Sequence, residues 1–95
     1  MEECKLLHNK PLAIGSSRGT IYDFDDPGDT LAEHSHDYAD VHFSIIARGS
    51  FRVFGPDFEI TANTGNIIDW DVGKSHGFEA LEKNSRLINI IKYPT

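Results

Sequence analysis

The stretch His-Ser-His-Asp-Tyr-Ala-Asp-Val-His-Phe-Ser-Ile-Ile-Ala-Arg-Gly, residues 34–49, decides which fold the sequence predicts. Its second half, from Val41 to Arg48, alternates sharply in character before the turn signal Gly49-Ser50. Successive side chains of a β-strand point to opposite faces of a sheet, so this alternation predicts a strand with two different faces. One face carries His42, Ser44 and Ile46, and the other carries Val41, Phe43, Ile45 and Ala47.

Strands separated by turns are also predicted on both sides of this stretch. Clusters of Gly, Pro, Asn and Asp interrupt the apolar segments at 25–29, 55–57 and 63–65. Residues 4–14, which contain Pro11, suit an edge strand or an ordered arm. No window of about eleven or more residues has apolar positions at helical spacing behind a capped start. The sequence therefore predicts an all-β domain of seven or eight short strands, arranged as a sandwich or a barrel.

Length and composition limit the classes of function. Ninety-five residues predict one domain, spanning 1–95, with a modest core. Nine basic against fifteen acidic residues give a net charge of −6 without any cluster of Lys or Arg, so nucleic acid is not expected as a partner. Neither a secretory signal nor an apolar run of about 20 residues is present, which predicts a soluble, cytoplasmic protein without membrane contact. The single cysteine, Cys4, predicts no intrachain disulfide.

Four of the five histidines fall in two places, and we interpret them as one metal site. His34 and His36 share a face of a predicted strand at a spacing of about 6.6 Å, His42 begins the next strand, and His76 follows a tight loop. The alternative is that each is a separate histidine, solvated or hydrogen-bonded. Several imidazoles on one interior face would each need a partner for a desolvated nitrogen, whereas one ion satisfies a nitrogen on every ring. The pattern therefore favours a single transition-metal site.

A second motif surrounds His76, and it resembles the cupin family. The residues Gly65-x5-Asp71-x-Gly73-x2-His76 follow that family's second motif, with Asp71 where proline is usual and Ala80 where asparagine is usual. The resemblance implies a double-stranded β-helix, a jelly-roll barrel of two antiparallel sheets. It places the second motif at about 65–80.

The family's first motif is matched by His34-x-His36 and Gly49, with five residues between Gly28 and His34, so that it covers about 28–49. Residues 1–15 would then form an N-terminal arm or edge strand. This sequence departs from the motif at the position of the family's glutamate ligand, and two residues are candidates for that position. Counting back from Gly49 gives His42, and counting forward from His36 gives Asp40. We choose His42, because strand register fixes that spacing and the preceding loop can absorb an extra residue.

A shell of His34, His36, His42 and His76 would leave a divalent ion its full charge. Nitrogen ligands favour Fe, Ni, Zn or Cu over Mg or Ca, and the charge favours an anionic small molecule as a further ligand. Asp40 shares the parity of His42 and is a candidate hydrogen-bond acceptor for a ligand ring, although a solvated loop carboxylate is the alternative. The predicted pocket lining is Ser44, Ile46 and Phe78, with Tyr38, Phe54 and Trp70 at the mouth. Each aromatic is more often plain core.

The apolar face of the central strand needs a cover. The row Val41, Phe43, Ile45 and Ala47 predicts a homodimer through this sheet, a mode of pairing that the resemblance also implies. The alternative cover is the N-terminal arm with its leucines, Leu6, Leu7 and Leu12.

Two functions compete at the proposed centre. The first is a metal-dependent enzyme, a small dioxygenase, isomerase or lyase acting on an anionic molecule, in which the ion polarises substrate or oxygen. The second is a binding module that captures a metal or small ligand without turnover. A third reading, a metal-free jelly roll with relic histidines, is the purely structural one. Fold resemblance does not choose among them, because one scaffold hosts unrelated chemistries.

Overall fold

The computed structural model of the chain describes residues 6–14, 17–34, 41–71 and 73–92, which form strands and turns. No helix in these segments is long and apolar enough to cross a membrane. The strands, in chain order, are β1 Leu6–Ile14, β2 Ser17–Phe24, β3 Thr30–His34, β4 Val41–Arg48, β5 Ser50–Gly55, β6 Phe58–Asn63, β7 Ile67–Asp69, β8 His76–Ala80 and β9 Ser85–Lys92.

The nine strands of the described segments form two antiparallel sheets. Sheet A has the order β1-β2-β9-β4-β7 and sheet B the order β3-β8-β5-β6. The predicted all-β fold of two antiparallel sheets is confirmed. The strand number exceeds the predicted seven or eight because the N-terminal segment is a full strand, which pairs with β2 from Leu6 opposite Phe24 to Ile14 opposite Ser17. The described backbone of this segment therefore forms an edge strand of sheet A.

The two faces of β4 differ as the alternation predicts. His42, Ser44 and Ile46 are buried, whereas the side chains between them are only half-buried. Inward residues of both sheets pack into one core between the sheets, as in other two-layer β folds. The buried apolar residues are Phe24, Ile46, Phe51, Val53, Ala62, Trp70, Phe78, Ala80 and Leu87.

One end of this interior is filled by hydrocarbon, and we call it the apolar end. In sheet A, Ile46 lies directly opposite Leu87, and in sheet B Phe51 lies opposite Ala80. Phe24 meets Phe51 edge to face, with ring centroids 5.1 Å apart. Such a pair adds about 0.5–1.5 kcal/mol to the burial of the two rings, so this end anchors the stability of the barrel.

A charged pair lies on the outer face of sheet A beside the apolar end. Asp23 is 2% exposed, and the Arg86 guanidinium donates from Nε and Nη2 to its two carboxylate oxygens at 2.7 and 3.1 Å. These hydrogen bonds, with the negative charge of Asp23, raise the pKa of Arg86. Arg48 Nη2 lies 3.7 Å from the same carboxylate. The two arginines thus balance a carboxylate that the sheet removes from water.

The turn between β4 and β5 requires glycine. Gly49 has a φ of 84°, and a Cβ at this position would lie 2.2 Å from Ser85 Oγ. Gly65 also has a positive φ, 92°, but a Cβ there would meet no atom within 4 Å. Gly49 therefore serves both the left-handed turn and the close approach of β9, whereas Gly65 serves its turn alone.

Candidate functional site

Two of the predicted ligands meet inside the barrel. His42 comes from β4 in sheet A and His76 from β8 in sheet B, and they are 4% and 0% exposed. Their ring centroids are 4.9 Å apart, with an angle of 44° between the ring planes. Residues thirty-four positions apart are thus brought together across the two sheets.

The orientation of the His76 ring is set by a backbone carbonyl. His76 Nδ1 lies 2.9 Å from the carbonyl oxygen of Lys74. A carbonyl oxygen only accepts, so Nδ1 carries the proton that it donates, and the lone pair of the neutral ring resides on Nε2. The Nε2 atoms of His76 and His42 are both buried. This is the tautomer in which the inner nitrogen of His76 is available to a metal ion.

An aromatic wall lies against the same ring. Trp70 stacks on His76 with centroids 4.0 Å apart and planes within 8° of parallel. Trp70 Nε1 donates to Ser44 Oγ at 2.9 Å, and Ser44 Oγ donates to Asn89 Oδ1 at 2.5 Å. Phe78 approaches His76 edge-on at 5.9 Å. We call His42, Ser44, Trp70, His76 and Asn89 together the polar end of the barrel.

The loop that precedes His76 is held at two points. Ser75 Oγ donates to the Glu33 carboxylate of β3 at 2.6 Å. Lys74 Nζ lies 3.8 Å from the Asp57 carboxylate and 4.8 Å from the centroid of the Phe58 ring. These contacts tie the loop to β3 and to the β5–β6 hairpin. They fix the position of the Lys74 carbonyl that orients His76.

The other predicted ligands lie at or beyond the limit of the described residues. The β3–β8 register sets His34 directly opposite His76, and only the backbone of His34 is described. His36, Tyr38 and Asp40 lie outside the described residues. Within the described ranges, no group of three or more His, Cys, Asp or Glu side chains could hold a metal ion.

Of the residues predicted to line a pocket, all but Tyr38 lie within the described part of the chain. Ser44, Phe78 and Trp70 are buried beside the two histidines, but Ile46 belongs to the apolar end. The expectation for Phe54 is wrong. On β5 the buried Phe51 and Val53 take the inward positions, so Phe54 projects outward over Gly77.

Sequence reasoning missed Asn89, which is 3% exposed and hydrogen-bonded to Ser44. Its signal was available. A lone amide interrupts the apolar run Leu87-Ile-Asn-Ile-Ile91 on the same parity as the inward Leu87, and buried amides in such a position need a partner.

The fold was compared with known proteins. No family model matches the chain, and no curated protein matches it in sequence. Solved structures do match. KdgF from a Halomonas species is 18% identical with a TM-score of 0.81, covering 99% of this chain and 88% of that one. A cupin superfamily protein from Desulfitobacterium hafniense is 16% identical with a TM-score of 0.81, covering 99% and 83%. This chain has the cupin fold.

A third cupin structure matches over almost its whole length. The cupin domain of an XRE family transcriptional regulator from Enterobacter cloacae is 16% identical with a TM-score of 0.76, covering 93% of this chain and 97% of that domain. Cupin domains generally bind a metal ion or a small molecule. In this chain, which shares that fold, His76 of β8 meets His42 of β4.

Proposed function

We propose that this cupin domain binds one divalent transition-metal ion through His34, His36, His42 and His76. The observation that carries the proposal is the meeting of two buried imidazoles from different sheets. The register that sets the backbone of His34 opposite His76 supports a third ligand from β3. His36 follows His34 by two residues, the spacing that shares a strand face.

The distance between the two rings fits a shared ion. Imidazole nitrogens bind Zn²⁺ and similar ions at about 2.0–2.1 Å, so two rings on one ion have centroids roughly 4.5–5.3 Å apart at octahedral to tetrahedral angles. The observed separation of 4.9 Å falls inside this range. The proton on His76 Nδ1 leaves Nε2 as the donor atom, which is the chemistry that the ion requires.

The proposed shell favours Fe, Ni, Zn or Cu, because imidazole nitrogen suits these ions. Asp40 stays the competing candidate for the acidic position of the motif. With four neutral ligands the ion would keep its charge and attract an anionic small molecule as a further ligand. The ion, when bound, would supply a Lewis acid that polarises such a molecule.

The side chains around the histidines bind and orient, and they do not carry charge. Among the described residues, the rings of Trp70 and Phe78 lie against His76, and a hydrogen-bond chain through Ser44 to Asn89 holds the indole of Trp70. None of these groups is a strong acid or base near neutral pH. The aromatic rings exclude water from one side of the histidines and give a ligand an apolar wall.

We assign this centre to a small metal-dependent enzyme of the dioxygenase, isomerase or lyase type. The described residues of the polar end include no charged general base, which suits reactions in which the ion itself activates the bound molecule. The second candidate is a binding module without turnover. The likeness of the whole chain to one domain of a transcriptional regulator favours it, since a cupin domain of this size serves there as part of a larger protein.

Metal content tests the binding proposal. Untagged protein, freshly purified, is analysed for Fe, Ni, Cu and Zn, and the chelated protein is titrated with Zn²⁺ against a chromogenic chelator. We expect one equivalent of ion per chain. Protein that holds less than about a tenth of an equivalent and competes with no chelator would overturn the proposal.

Turnover separates the two candidate functions. Iron-loaded protein is given a panel of small carboxylates and diketones while oxygen uptake and product formation are followed, with His42→Ala as the metal-deficient control. Turnover by the wild type alone supports the enzyme. Saturable ligand binding without turnover, across Fe, Ni and Zn forms, supports the module.

We further propose that two copies pair through sheet A. Four isoleucines form one row across its outer face, since Ile21 lies opposite Ile88, Ile88 opposite Ile45 and Ile45 opposite Ile67. Ile67 is 65% exposed, and the other three are half-buried. Because the described backbone of β1 extends the sheet, the row needs another cover, and a second copy supplies an identical apolar face.

Light scattering of the purified protein tests the pairing. Wild type should have the mass of a dimer at micromolar concentration, and Ile67→Lys should shift it toward the monomer. Ile60→Lys is the matched control, since Ile60 is 46% exposed on β6 of the other sheet. A monomeric wild type, or equal behaviour of the two variants, would contradict the pairing.

A further inference from the structure

We infer that Trp70, held by Ser44 and Asn89, is a positioning residue that fixes the ring of His76 for metal binding. The inference rests on the proposed function. It assigns to three residues outside the ligand set the task of directing one ligand.

The indole of Trp70 restrains the face of the His76 ring, whereas the Lys74 carbonyl restrains only its edge. The bond from Nδ1 to Lys74 fixes one edge of the imidazole, and the parallel indole at 4.0 Å blocks rotation of the ring plane. Together the two contacts set the direction of Nε2. His42, the proposed neighbouring ligand, lies 4.9 Å away between ring centroids, so a change in the His76 ring plane changes the geometry of the pair.

The hydrogen-bond chain holds the indole in turn. An indole N–H only donates, so Ser44 Oγ accepts a hydrogen bond from Trp70 Nε1. The Ser44 hydroxyl in turn donates a hydrogen bond to Asn89 Oδ1. Each group in this sequence uses its polar atoms without conflict. Ser44 and Asn89 are directly opposite each other on β4 and β9, two central strands of sheet A, which makes the anchor rigid.

Ser44 and Asn89 occupy inward positions of sheet A where aliphatic residues would pack as well. Ser44 is 0% exposed and Asn89 3% exposed, whereas their neighbours one layer away are the inward Ile46 and Leu87. Burying a hydroxyl and an amide costs free energy unless both are hydrogen-bonded, and an apolar pair of the same shape would avoid that cost. A purely structural role asks only that the buried indole N–H have an acceptor, which Ser44 supplies, and it does not require the parallel stack of that indole on His76. A role in holding Trp70 against His76 explains that stack.

Metal affinity of matched variants tests the inference. Ser44→Ala removes the acceptor of the indole N–H, Trp70→Phe keeps an aromatic face without the N–H, and Trp70→Leu removes the face. Ser85→Ala is the control, because Ser85 is also 0% exposed but lies at the apolar end, where its Oγ donates to the Glu82 carbonyl. The probe is Co²⁺, titrated into chelated protein with its visible absorption and its dissociation constant as readouts.

We expect Ser44→Ala and Trp70→Leu to weaken Co²⁺ binding by about 10–100-fold, the range for groups that orient metal ligands, and Trp70→Phe to weaken it less. The visible bands of bound Co²⁺ should change shape in the first two. Ser85→Ala should leave the dissociation constant and the visible bands at wild-type values, even if its melting temperature falls as far as that of Ser44→Ala or Trp70→Leu. All titrations are made well below the lowest melting temperature of the set, so that loss of folding does not count as loss of binding.

The outcomes separate this inference from the proposed function. If wild type binds Co²⁺ and His76→Ala does not, while Ser44→Ala and Trp70→Leu match Ser85→Ala, the inference is overturned and the metal site stands. If wild type binds none of Co²⁺, Zn²⁺ or Ni²⁺, the proposed function fails and the inference fails with it. Fluorescence gives an independent check, because Trp70 is the single tryptophan. Bound Co²⁺ should quench it in wild type, and less per bound ion in Ser44→Ala.

Discussion

The apolar end and the polar end of the barrel are built by the same strands and differ in what those strands turn inward. Along β4 the inward residues pass from Ile46 through Ser44 to His42. Along β8 they pass from Ala80 through Phe78 to His76. The pairing of β4 with β9 is regular from Ile46 to His42, whereas the pairing of β8 with β3 shifts register between Phe78 and His76.

This difference teaches that the alternation of a strand specifies the fold without specifying a site. Any sequence with apolar side chains at every second position satisfies the apolar end. The polar end departs from that rule at several inward positions, and each departure costs desolvation that a hydrogen bond or an ion must offset. Such departures are expected at functional sites.

Truncation of a large buried ring at the apolar end should have the largest effect on the stability of the fold. Phe51 is 0% exposed and packs against Phe24 and Phe78, so Phe51→Ala should lower the free energy of unfolding by about 3–5 kcal/mol. Urea denaturation measures it. Phe54→Ala, on the outer face of the same strand, should cost about 1–2 kcal/mol. Equal losses would mean that the apolar end does not anchor the barrel.

Substitution of the histidines should reduce metal affinity strongly and stability little. His42→Ala and His76→Ala are each expected to weaken Zn²⁺ binding by at least about 100-fold, since removing a ligand exceeds the effect of disturbing its support. Stability of the metal-free protein should change much less than in Phe51→Ala. Chelator competition and urea denaturation on the same samples give both numbers. His8→Ala, which removes the histidine outside the proposed set, is the control, and an equal loss of affinity there would contradict the site.

Two of the positive-φ glycines, Gly49 and Gly65, test how closely the strands pack at the turns beside the apolar end. Gly49→Ala should cost about 2–3 kcal/mol, because the new Cβ combines left-handed backbone strain with a collision against Ser85. Gly65→Ala meets only the strain and should cost about 1 kcal/mol. Thermal unfolding compares them. A Gly65→Ala variant that loses as much as Gly49→Ala would show that close strand packing is unimportant at this turn.

The fold was predictable because its signals are local. Turn chemistry and period-two alternation lie within a few residues of each other, and they gave the strands and the two faces of β4 correctly. The same parity rule was misapplied to Phe54. Since β5 has aromatic residues at both parities, Phe51 and Phe54, only one of them faces inward, and the strand pairing decides which.

The candidate site was only partly predictable because its contacts are distant in sequence. Histidines are rare enough to attract attention, so His42 and His76 were found. Asn89 was not, because its hydrogen-bond partner, Ser44, lies more than forty residues away in the sequence. Which strands become neighbours is a property of the sheet order, and single-sequence patterns contain little of it.

The pairing of β2 with β9 has a consequence for how the chain acquires its structure. Phe24 and Ser85 are partners separated by about sixty residues, and Val41 pairs with Lys92 over about fifty. Closing such long loops costs chain entropy before any contact repays it, which places this topology among slow folders, in the range of milliseconds to seconds. During synthesis at about 5–20 residues per second, β2 and β4 must wait several seconds for β9 to emerge, with their aliphatic rows exposed. The nascent chain is therefore the form of this protein most in need of protection from aggregation.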